Sequence, residues 1–134
     1  MLQNPVYIQS NPGYVYQAVI AKWVDGDTVD VDIFICVDYG FHWKEIKQSA
    51  QRLRLYGINT PERGQTNFHE ATIFEEDHAP VGTEVVVKTY KMPTSYASTE
   101  KYGRYLADIL VQDVNLNETI LASGLAVAYF GGTK

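Results

Sequence analysis

The chain has 134 residues, of which 46% are hydrophobic and 20% charged, and its formal net charge is −5. This is the size of one domain, and no apolar stretch approaches the roughly 18 residues of a membrane-spanning helix, so a membrane protein is excluded and one soluble domain over residues 1–134 is predicted. The acidic balance also argues against tight, non-specific binding of nucleic acid through a broadly basic surface.

The first elements of the chain are predicted to be an extension and two strands. Residues 1–13 lack a basic segment followed by an apolar one, so we expect no secretory signal and an intracellular protein. Residues 14–24 (YVYQAVIAKWV) and 28–37 (TVDVDIFICV) are rich in β-branched and aromatic residues, as strands are. Cys36 is the only cysteine, which excludes an internal disulfide bond and a multi-cysteine zinc site.

An Asp-Gly-Asp turn joins these two strands. The alternation that follows it places Asp27 at the start of the apolar row of the second strand, with Asp25 on the other side of the glycine. A carboxylate at the edge of a core needs a partner, because an unpaired buried charge is costly. A metal ion or an arginine meets that need, and a turn solvated at the rim of a barrel is the simpler alternative.

An arginine lies within the short apolar strand predicted at residues 52–58 (RLRLYGI), which follows a predicted loop over residues 38–51. Arg54 is on the polar face of this strand, and the polar turn beyond it ends on Glu62. A guanidinium can hold two phosphate oxygens with its planar fork of donors. Taken alone, Arg54 also fits a surface residue or an ion-pair partner, and Glu62 an ordinary turn carboxylate.

Two short helices are predicted farther along. Residues 69–79 (HEATIFEEDHA) form the first, and residues 116–124 (LNETILASG) the second, with Asn117 as its N-cap and Gly124 as its stop. The first helix begins with His-Glu but lacks the second histidine of a zinc-protease H-E-x-x-H motif. All histidines are therefore expected to be surface or helix-end residues, namely His42, His69 and His78.

Two more strands, at residues 85–89 (VVVKT) and 105–111 (YLADILV), bring the number of predicted strands to five. The loop between them, residues 90–103, interleaves lysines with tyrosines, which favours single-stranded nucleic acid but also fits a solvated loop. This order of strands and helices predicts a mainly β (α+β) fold, a five-stranded OB-fold Greek-key barrel with two or three short helices.

A second arginine, Arg104, stands directly after a glycine at the mouth of the last strand. At this point the sequence resembles the staphylococcal nuclease (thermonuclease) family, in order from about Ala18 to Tyr129. The resemblance implies an OB-fold barrel with a calcium-dependent phosphodiesterase site. It rests on four segments: VDGDTVDVD, RLRLYGINTPE, KYGRYLADILV and NETILASGLAVAY.

The resemblance implies a metal site built from oxygen atoms. Asp27 matches the metal-binding aspartate of the family, with Asp25 just beyond the ligands, and Thr60 matches the residue whose main-chain oxygen reaches the metal. Asn59 stands where the family pattern commonly has another aspartate, and its amide oxygen can still bind calcium but carries no charge. We therefore expect weaker calcium affinity, or tolerance of magnesium or manganese.

The resemblance also implies how the phosphate is handled. Arg54 and Arg104 match the arginines that grip it, and Glu62 matches the carboxylate that contacts the attacking water. Water would attack phosphorus and the 5′ oxygen would leave, so the products would end in 3′-phosphates. Three further residues fall at or near the nucleotide pocket of the family, and these are Lys101, Tyr102 and Tyr129.

Three functions remain open on the sequence. The first is a metal-dependent nuclease that acts on DNA, RNA or both, with a preference for single strands, as a monomer without an obligate protein partner. The second is a non-catalytic module of the same fold that binds nucleic acid or protein. The third, a generic OB-fold protein-interaction domain, is favoured only by the acidic net charge.

Overall fold

Eight strands and two helices make up the part of the chain that the computed structural model describes, residues 13–38, 40–41, 43–90 and 105–129. Neither helix is long and apolar enough to cross a membrane. The elements are, in chain order, β1 (Gly13–Asp25), β2 (Thr28–Asp38), β3 (Trp43–Leu55), β4 (Ile58–Asn59), α1 (Phe68–His78), β5 (Glu84–Tyr90), β6 (Tyr105–Val111), β7 (Val114–Asn115), α2 (Leu116–Ser123) and β8 (Val127–Ala128).

Five of these strands close into a barrel. Antiparallel pairs join β3, β2, β1, β5 and β6 in that order, and β7 continues from β6 as a short extension. The barrel closes because β3 also pairs with β6 in parallel, from Leu53 opposite Tyr105 to Leu55 opposite Ala107. This contact spans three residues of each strand and turns the sheet into a closed barrel. The predicted OB-fold barrel with two helices is confirmed.

The core of the barrel is filled by every second residue of its strands, as the strand pleat requires. The two helices lie over it and add apolar side chains, while Trp23 of β1 donates its indole N–H to the main-chain oxygen of Ala79 at 2.8 Å. That residues 1–134 form a single domain stays a prediction. The largest apolar side chains that are completely buried are Ile20, Val29, Val31, Leu53, Leu55, Ile58, Val87, Ile109, Leu116 and Ile120.

The predicted loop over residues 38–51 is wrong for most of its length. Residues 43–51 belong to β3 and pair with β2 as far out as Asp38 opposite Trp43. The segment is rich in polar side chains, most of them exposed, so its composition resembles a loop. The backbone ladder with β2 decides its structure instead, with an irregularity near Ala50, whose N–H donates to Oδ1 of Asp32 at 2.8 Å.

Both predicted helices are present, but the predicted N-cap of the second helix is wrong. The side chain of Asn115, not that of Asn117, caps α2 by accepting from the N–H of Glu118 at 3.3 Å. Gly124 ends the helix in the left-handed region, at φ 88°, as predicted. The first helix begins one residue earlier than predicted, at Phe68.

Asn117 is buried and ties α2 to the barrel. Its Nδ2 donates to the main-chain oxygens of Tyr56 at 2.9 Å and Ala107 at 3.0 Å, and to Oδ1 of Asp108 at 3.0 Å. Its own Oδ1 accepts from the N–H of Ile109 at 3.3 Å. One side chain thus links α2 to two segments of the barrel, and the oxygen of Ala107 also accepts from the N–H of Tyr56 at 2.8 Å.

Replacing Asn117 by alanine is expected to lower the free energy of unfolding by about 2–4 kcal/mol, because it removes the hydrogen bonds by which this buried side chain holds Tyr56, Ala107 and Ile109. Urea denaturation of the purified protein measures this. The matched control is Asn115→Ala, which removes only the helix cap and should cost about 1 kcal/mol. Equal, small losses in the two variants would contradict the role given to Asn117.

Candidate active site

The turn between β1 and β2 packs against the end of β3 and against α1. Asp25 accepts from the N–H of Asp27 through Oδ1 at 3.1 Å, which is the local bond that shapes the turn. The main-chain oxygen of Asp27 accepts from the N–H of Leu55 at 2.9 Å, which holds the turn against the end of β3. A β-carbon on Gly26 would lie 2.7 Å from that of Ala71 in α1. The turn is therefore fixed in place by β3 and α1 together.

Replacing Gly26 by alanine is expected to destabilise the protein by about 1–3 kcal/mol, because the added methyl group overpacks a filled site. It would meet the β-carbon of Ala71 at 2.7 Å and Cγ2 of Thr60 at 2.9 Å. Thermal unfolding of Gly26→Ala and of the double variant with Ala71→Gly measures this. The double variant should recover part of the loss; if the single variant is as stable as wild type, this close packing is wrong.

Asp27 is a buried carboxylate that stays ionised. It is 9% exposed, and its oxygens accept from the hydroxyl of Thr28 at 3.2 Å and the N–H of Thr60 at 3.0 Å. Burial alone would raise the pKa of Asp27, but the hydrogen bond with Asp25, the charge of Arg54 and the bonds from Thr60 lower it overall. The solvated rim turn considered above is not what the structure has.

Asp25 behaves in the opposite way to its neighbour. Burial, and then the neighbouring carboxylate of Asp27, raise the pKa of Asp25 to about 6. Two adjacent carboxyl groups titrate as a pair, and here Asp25 takes up the proton first as the pH falls. At pH 7, above the pKa of Asp25 and of Asp27, both carboxylates of the turn carry negative charge, and as the pH falls that of Asp27, which faces Arg54, keeps its charge longer.

Arg54 is buried rather than exposed, with only 8% of its surface accessible. Its Nη1 donates to the main-chain oxygens of Leu55 at 3.0 Å and Ile58 at 2.8 Å, and its Nη2 donates to Oδ1 of Asn59. Nη1 lies 3.8 Å from Oδ2 of Asp27. These contacts fix the plane of the guanidinium and leave donors on Nε and Nη2 without an acceptor among the residues described. Such a pair of donors matches two oxygens of a phosphate.

The short pairing of β4 with β8 brings Tyr129 to this arginine. Ile58 lies opposite Ala128, and the N–H of Tyr129 donates to the oxygen of Gly57 at 2.8 Å. The guanidinium carbon of Arg54 is 5.8 Å from the centre of the Tyr129 ring, within the range of a cation–π contact. An aromatic face thus stands beside the free donors of the arginine.

Some of the remaining predicted residues lie within the described ranges and others lie outside them. Glu62 is exposed just beyond Thr60, and its carboxylate has no ion pair or hydrogen bond to any described residue. His69 and His78 are exposed, as predicted. His42 lies outside the described ranges, so its predicted surface position stays a prediction. Three predicted site residues also lie outside those ranges, so whether they join the site stays a prediction: Lys101, Tyr102 and Arg104.

One acidic residue at this site was missed by the sequence analysis. Glu75 of α1 is completely buried, and neither of its carboxyl oxygens has a hydrogen-bond partner among the residues that the structure describes. Burial, and then the charge of Asp27, raise the pKa of Glu75 to about 9. The signal that could have found it is helical spacing, because Phe68, Ala71 and Glu75 share the buried stripe of α1.

The oxygen atoms around Asp27 are of the type that a hard divalent cation binds. The carboxylate of Asp27 and the amide oxygen of Asn59 both face the guanidinium of Arg54, and the N–H of Thr60 donates to that carboxylate. Negative charge is scarce, however: in the part of the chain that the structure describes, no three His, Cys, Asp or Glu side chains cluster in a way that could hold a metal. Any cation here depends on neutral oxygens and on few carboxylates.

Two comparisons with known proteins find similarity to this chain. A family model described as staphylococcal nuclease homologue matches residues 52–134. The chain is also 29% identical, over 140 aligned positions, to an uncharacterized protein of Methanocaldococcus jannaschii. That alignment covers 85% of this chain and 59% of the other protein, so the chain spans about three fifths of that relative's length. The family match includes Arg54 and Tyr129, whereas Asp25 and Asp27 precede it.

Proposed function

Because the chain belongs to the family of staphylococcal nuclease homologues, we propose that it is a divalent-cation-dependent phosphodiesterase that cleaves DNA or RNA, preferably as single strands. The observation that carries the proposal is the buried guanidinium of Arg54. Main-chain oxygens and Asn59 hold it rigidly, and the remaining donors on its Nε and Nη2 have no acceptor among the described residues, which supports a phosphate as their partner. Donors fixed in advance stabilise developing negative charge without reorganising during the reaction.

The cation would be held by the carboxylate of Asp27, the amide oxygen of Asn59 and the main-chain oxygen of Thr60. When bound, a divalent cation polarises a phosphate oxygen and neutralises negative charge as it develops. Calcium suits such oxygen ligands, and magnesium or manganese are alternatives that the neutral Asn59 favours. The charge of Asp27 is available for this role because its pKa is lowered.

The other residues act on the nucleotide and the water. Arg54 binds the scissile phosphate, and Arg104 is proposed to bind it from a second side. Glu62, exposed at the rim, accepts the proton of the water or holds that water in line with the leaving 5′ oxygen. Attack at phosphorus with loss of the 5′ oxygen leaves a 3′-phosphate. Tyr129 offers a face for a base, which favours unpaired strands.

A second candidate is a binding module that holds nucleic acid or protein without cutting. The neutral Asn59 and its hydrogen bond to Arg54 favour this function, because they reduce the charge available to a cation. A binding module would still use Arg54 and Tyr129 to hold a phosphate and a base. It would have no use for the carboxylate of Glu62.

Incubation of the full chain with end-labelled single-stranded DNA and RNA, in calcium and then in a chelator, tests the proposal. We expect chelator-sensitive cleavage, and we expect Glu62→Gln to slow it by about 10²–10⁴-fold, because the variant loses the proton acceptor. The matched control is Glu76→Gln, an exposed glutamate of α1, which should cut like wild type.

Two outcomes would contradict the nuclease. Strand binding by wild type without any cleavage in calcium, magnesium or manganese would favour the binding module. Cleavage that is unchanged in Glu62→Gln would point to a contaminating enzyme or to a different reaction centre.

A further inference from the structure

A groove lies on the outer surface of the barrel, alongside residues 17–19 of β1. This outer groove has a volume of about 440 Å³, and its walls come from β1, β2, β3, β5, β6 and the turn that follows β6. Among the described residues, none of those given a role in cleavage lines it. A ligand bound here would therefore occupy a second place on the molecule, separate from the reacting phosphate.

Apolar side chains line the outer groove although they lie on the outside of the barrel. In β5, Val85 and Val87 are in the core, so Val86 between them faces outward, and 37% of it is exposed. Leu110 of β6 lies opposite Val86 and also faces outward, because Ile109 is in the core. Two half-buried side chains complete the apolar lining, namely Val19 and Phe34. A continuous apolar lining on the solvent side of a sheet is typical of a surface that binds a partner.

Exposed carboxylates border the same groove, and these are Glu45, Glu84 and Asp113. None of the three side chains forms a salt bridge with a described residue, and the described lining contains no lysine, arginine or histidine. They do not converge on one point, since no three acidic, cysteine or histidine side chains in the described ranges cluster so as to hold a metal ion. The carboxylates are therefore suited to separate positive charges rather than to a single cation.

The main chain of β1 is already paired on both sides at the groove. Gln17 lies opposite Phe34 of β2 on one side and opposite Val86 of β5 on the other. An extended segment cannot bind here by adding a strand to a free sheet edge. A partner has to be recognised by side chains, through apolar contacts with the lining and through ion pairs with the carboxylates.

We propose that the outer groove binds a basic peptide segment of a partner protein, in which aliphatic side chains alternate with lysine or arginine. The aliphatic side chains pack on Val86 and Leu110, and the cationic groups pair with Glu45, Glu84 and Asp113. Charge complementarity identifies this occupant, because an acidic peptide or a nucleic acid would bring negative charge to three carboxylates. The inference does not rest on the proposed function, since it concerns different residues.

Fluorescence anisotropy of labelled octapeptides, titrated with the full chain in a chelator, tests this inference. The first probe alternates lysine with leucine, the second alternates lysine with serine and carries only the charge, and the third alternates glutamate with leucine. We expect the dissociation constant to be at least about tenfold lower for the lysine-leucine peptide than for either of the others, because only that peptide meets both the apolar lining and the carboxylates.

Matched variants separate the groove from the net charge of the protein. Glu84→Lys should raise the dissociation constant of the lysine-leucine peptide about tenfold, because it places a positive charge at the groove. Glu76→Lys makes the same change of charge on the exposed side of α1 and should alter that constant less than about twofold. Val86→Ser should weaken the same peptide but not the lysine-serine peptide. All three positions are exposed, so the variants should stay folded, and thermal unfolding verifies this.

Three results would overturn the inference. The first is a wild-type protein that does not bind the lysine-leucine peptide, and the second is equal binding of the lysine-serine peptide, which would mean that the apolar lining makes no contact. The third is an equal loss in Glu84→Lys and Glu76→Lys, which would mean that only the net charge attracts the peptide. Cleavage of nucleic acid, or its failure, changes none of these outcomes.

Discussion

Replacing Arg54 by lysine is expected to slow the cleavage of single-stranded DNA by about 10²–10³-fold while the protein stays folded. Lysine keeps a positive charge near the buried Asp27, but its ammonium group cannot reproduce the planar fork of donors. It also loses the simultaneous contacts with Leu55, Ile58 and Asn59 that hold the guanidinium in place. Initial rates on an end-labelled oligonucleotide in excess calcium measure the effect.

The chain offers a matched control two residues away. Arg52 is exposed on β3 and forms a two-pronged ion pair with Asp30, at 2.7 and 3.0 Å. Arg52→Lys makes the same chemical change on the solvent side of the strand, where ion pairs contribute about 0–1 kcal/mol, so it should cut like wild type. If both variants cut at the wild-type rate, Arg54 does not bind the reacting phosphate.

Arg54→Ala is a less informative change than Arg54→Lys. It removes the positive charge beside a carboxylate that is only 9% exposed, and it frees two buried main-chain oxygens. An uncompensated buried charge of this kind commonly costs about 3–5 kcal/mol. The alanine variant is therefore expected to lose both stability and activity, and the lysine variant separates the two effects.

Replacing Glu75 by leucine is expected to stabilise the metal-free protein, and by more at higher pH. The pKa of Glu75 is about 9 in the folded protein against an ordinary value of 4.5, so the folded state holds its proton more tightly than the unfolded state. The stability that this proton provides is complete below pH 4.5 and is lost as the pH rises toward 9. The loss follows a slope of at most about 1.4 kcal/mol per pH unit.

Urea denaturation in a chelator at pH 5 and pH 8 measures the difference between wild type and variant. At pH 5 the two proteins should differ little from this cause, whereas at pH 8 Glu75→Leu should be more stable by a few kcal/mol. Glu75→Gln should show the same flattened pH dependence, since an amide does not titrate. Asp25 titrates in wild type and variants alike, so it cancels in the comparison.

A difference in stability that is the same at both pH values would show that Glu75 does not hold a proton in the folded protein. Glu76→Gln serves again as the control, because its side chain is exposed and its removal should not change the pH dependence.

The sequence alone was sufficient for features that depend on neighbouring residues. Alternating apolar residues identified the barrel strands β1, β2, β5 and β6, and Gly124 marked the end of α2. The ordered segments around Asp27 and Arg54 predicted the family, which the match over residues 52–134 supports. These features can be predicted from the sequence because strand alternation and helix ends depend on the local backbone.

Features that depend on contacts between distant residues required the tertiary structure. A surface position for Arg54 is compatible with the sequence. In the structure, β3 closes on β6 and the main-chain oxygen of Ile58 accepts from the guanidinium, which is buried. Asn117 was predicted as a cap, but the oxygens of Tyr56 and Ala107 make it a bridge to the barrel.

Glu75 shows the same limit most clearly. Its neighbours in HEATIFEEDHA are acidic, so the segment looks solvated, although helical spacing places this one carboxyl on the buried stripe. Its burial without a hydrogen-bond donor among the described residues arises only when α1 packs on the barrel, as the contact of Ala71 with the turn at Gly26 shows. Burial and charge coupling depend on which segments meet in space, and local sequence patterns carry no information about the other partner of each contact.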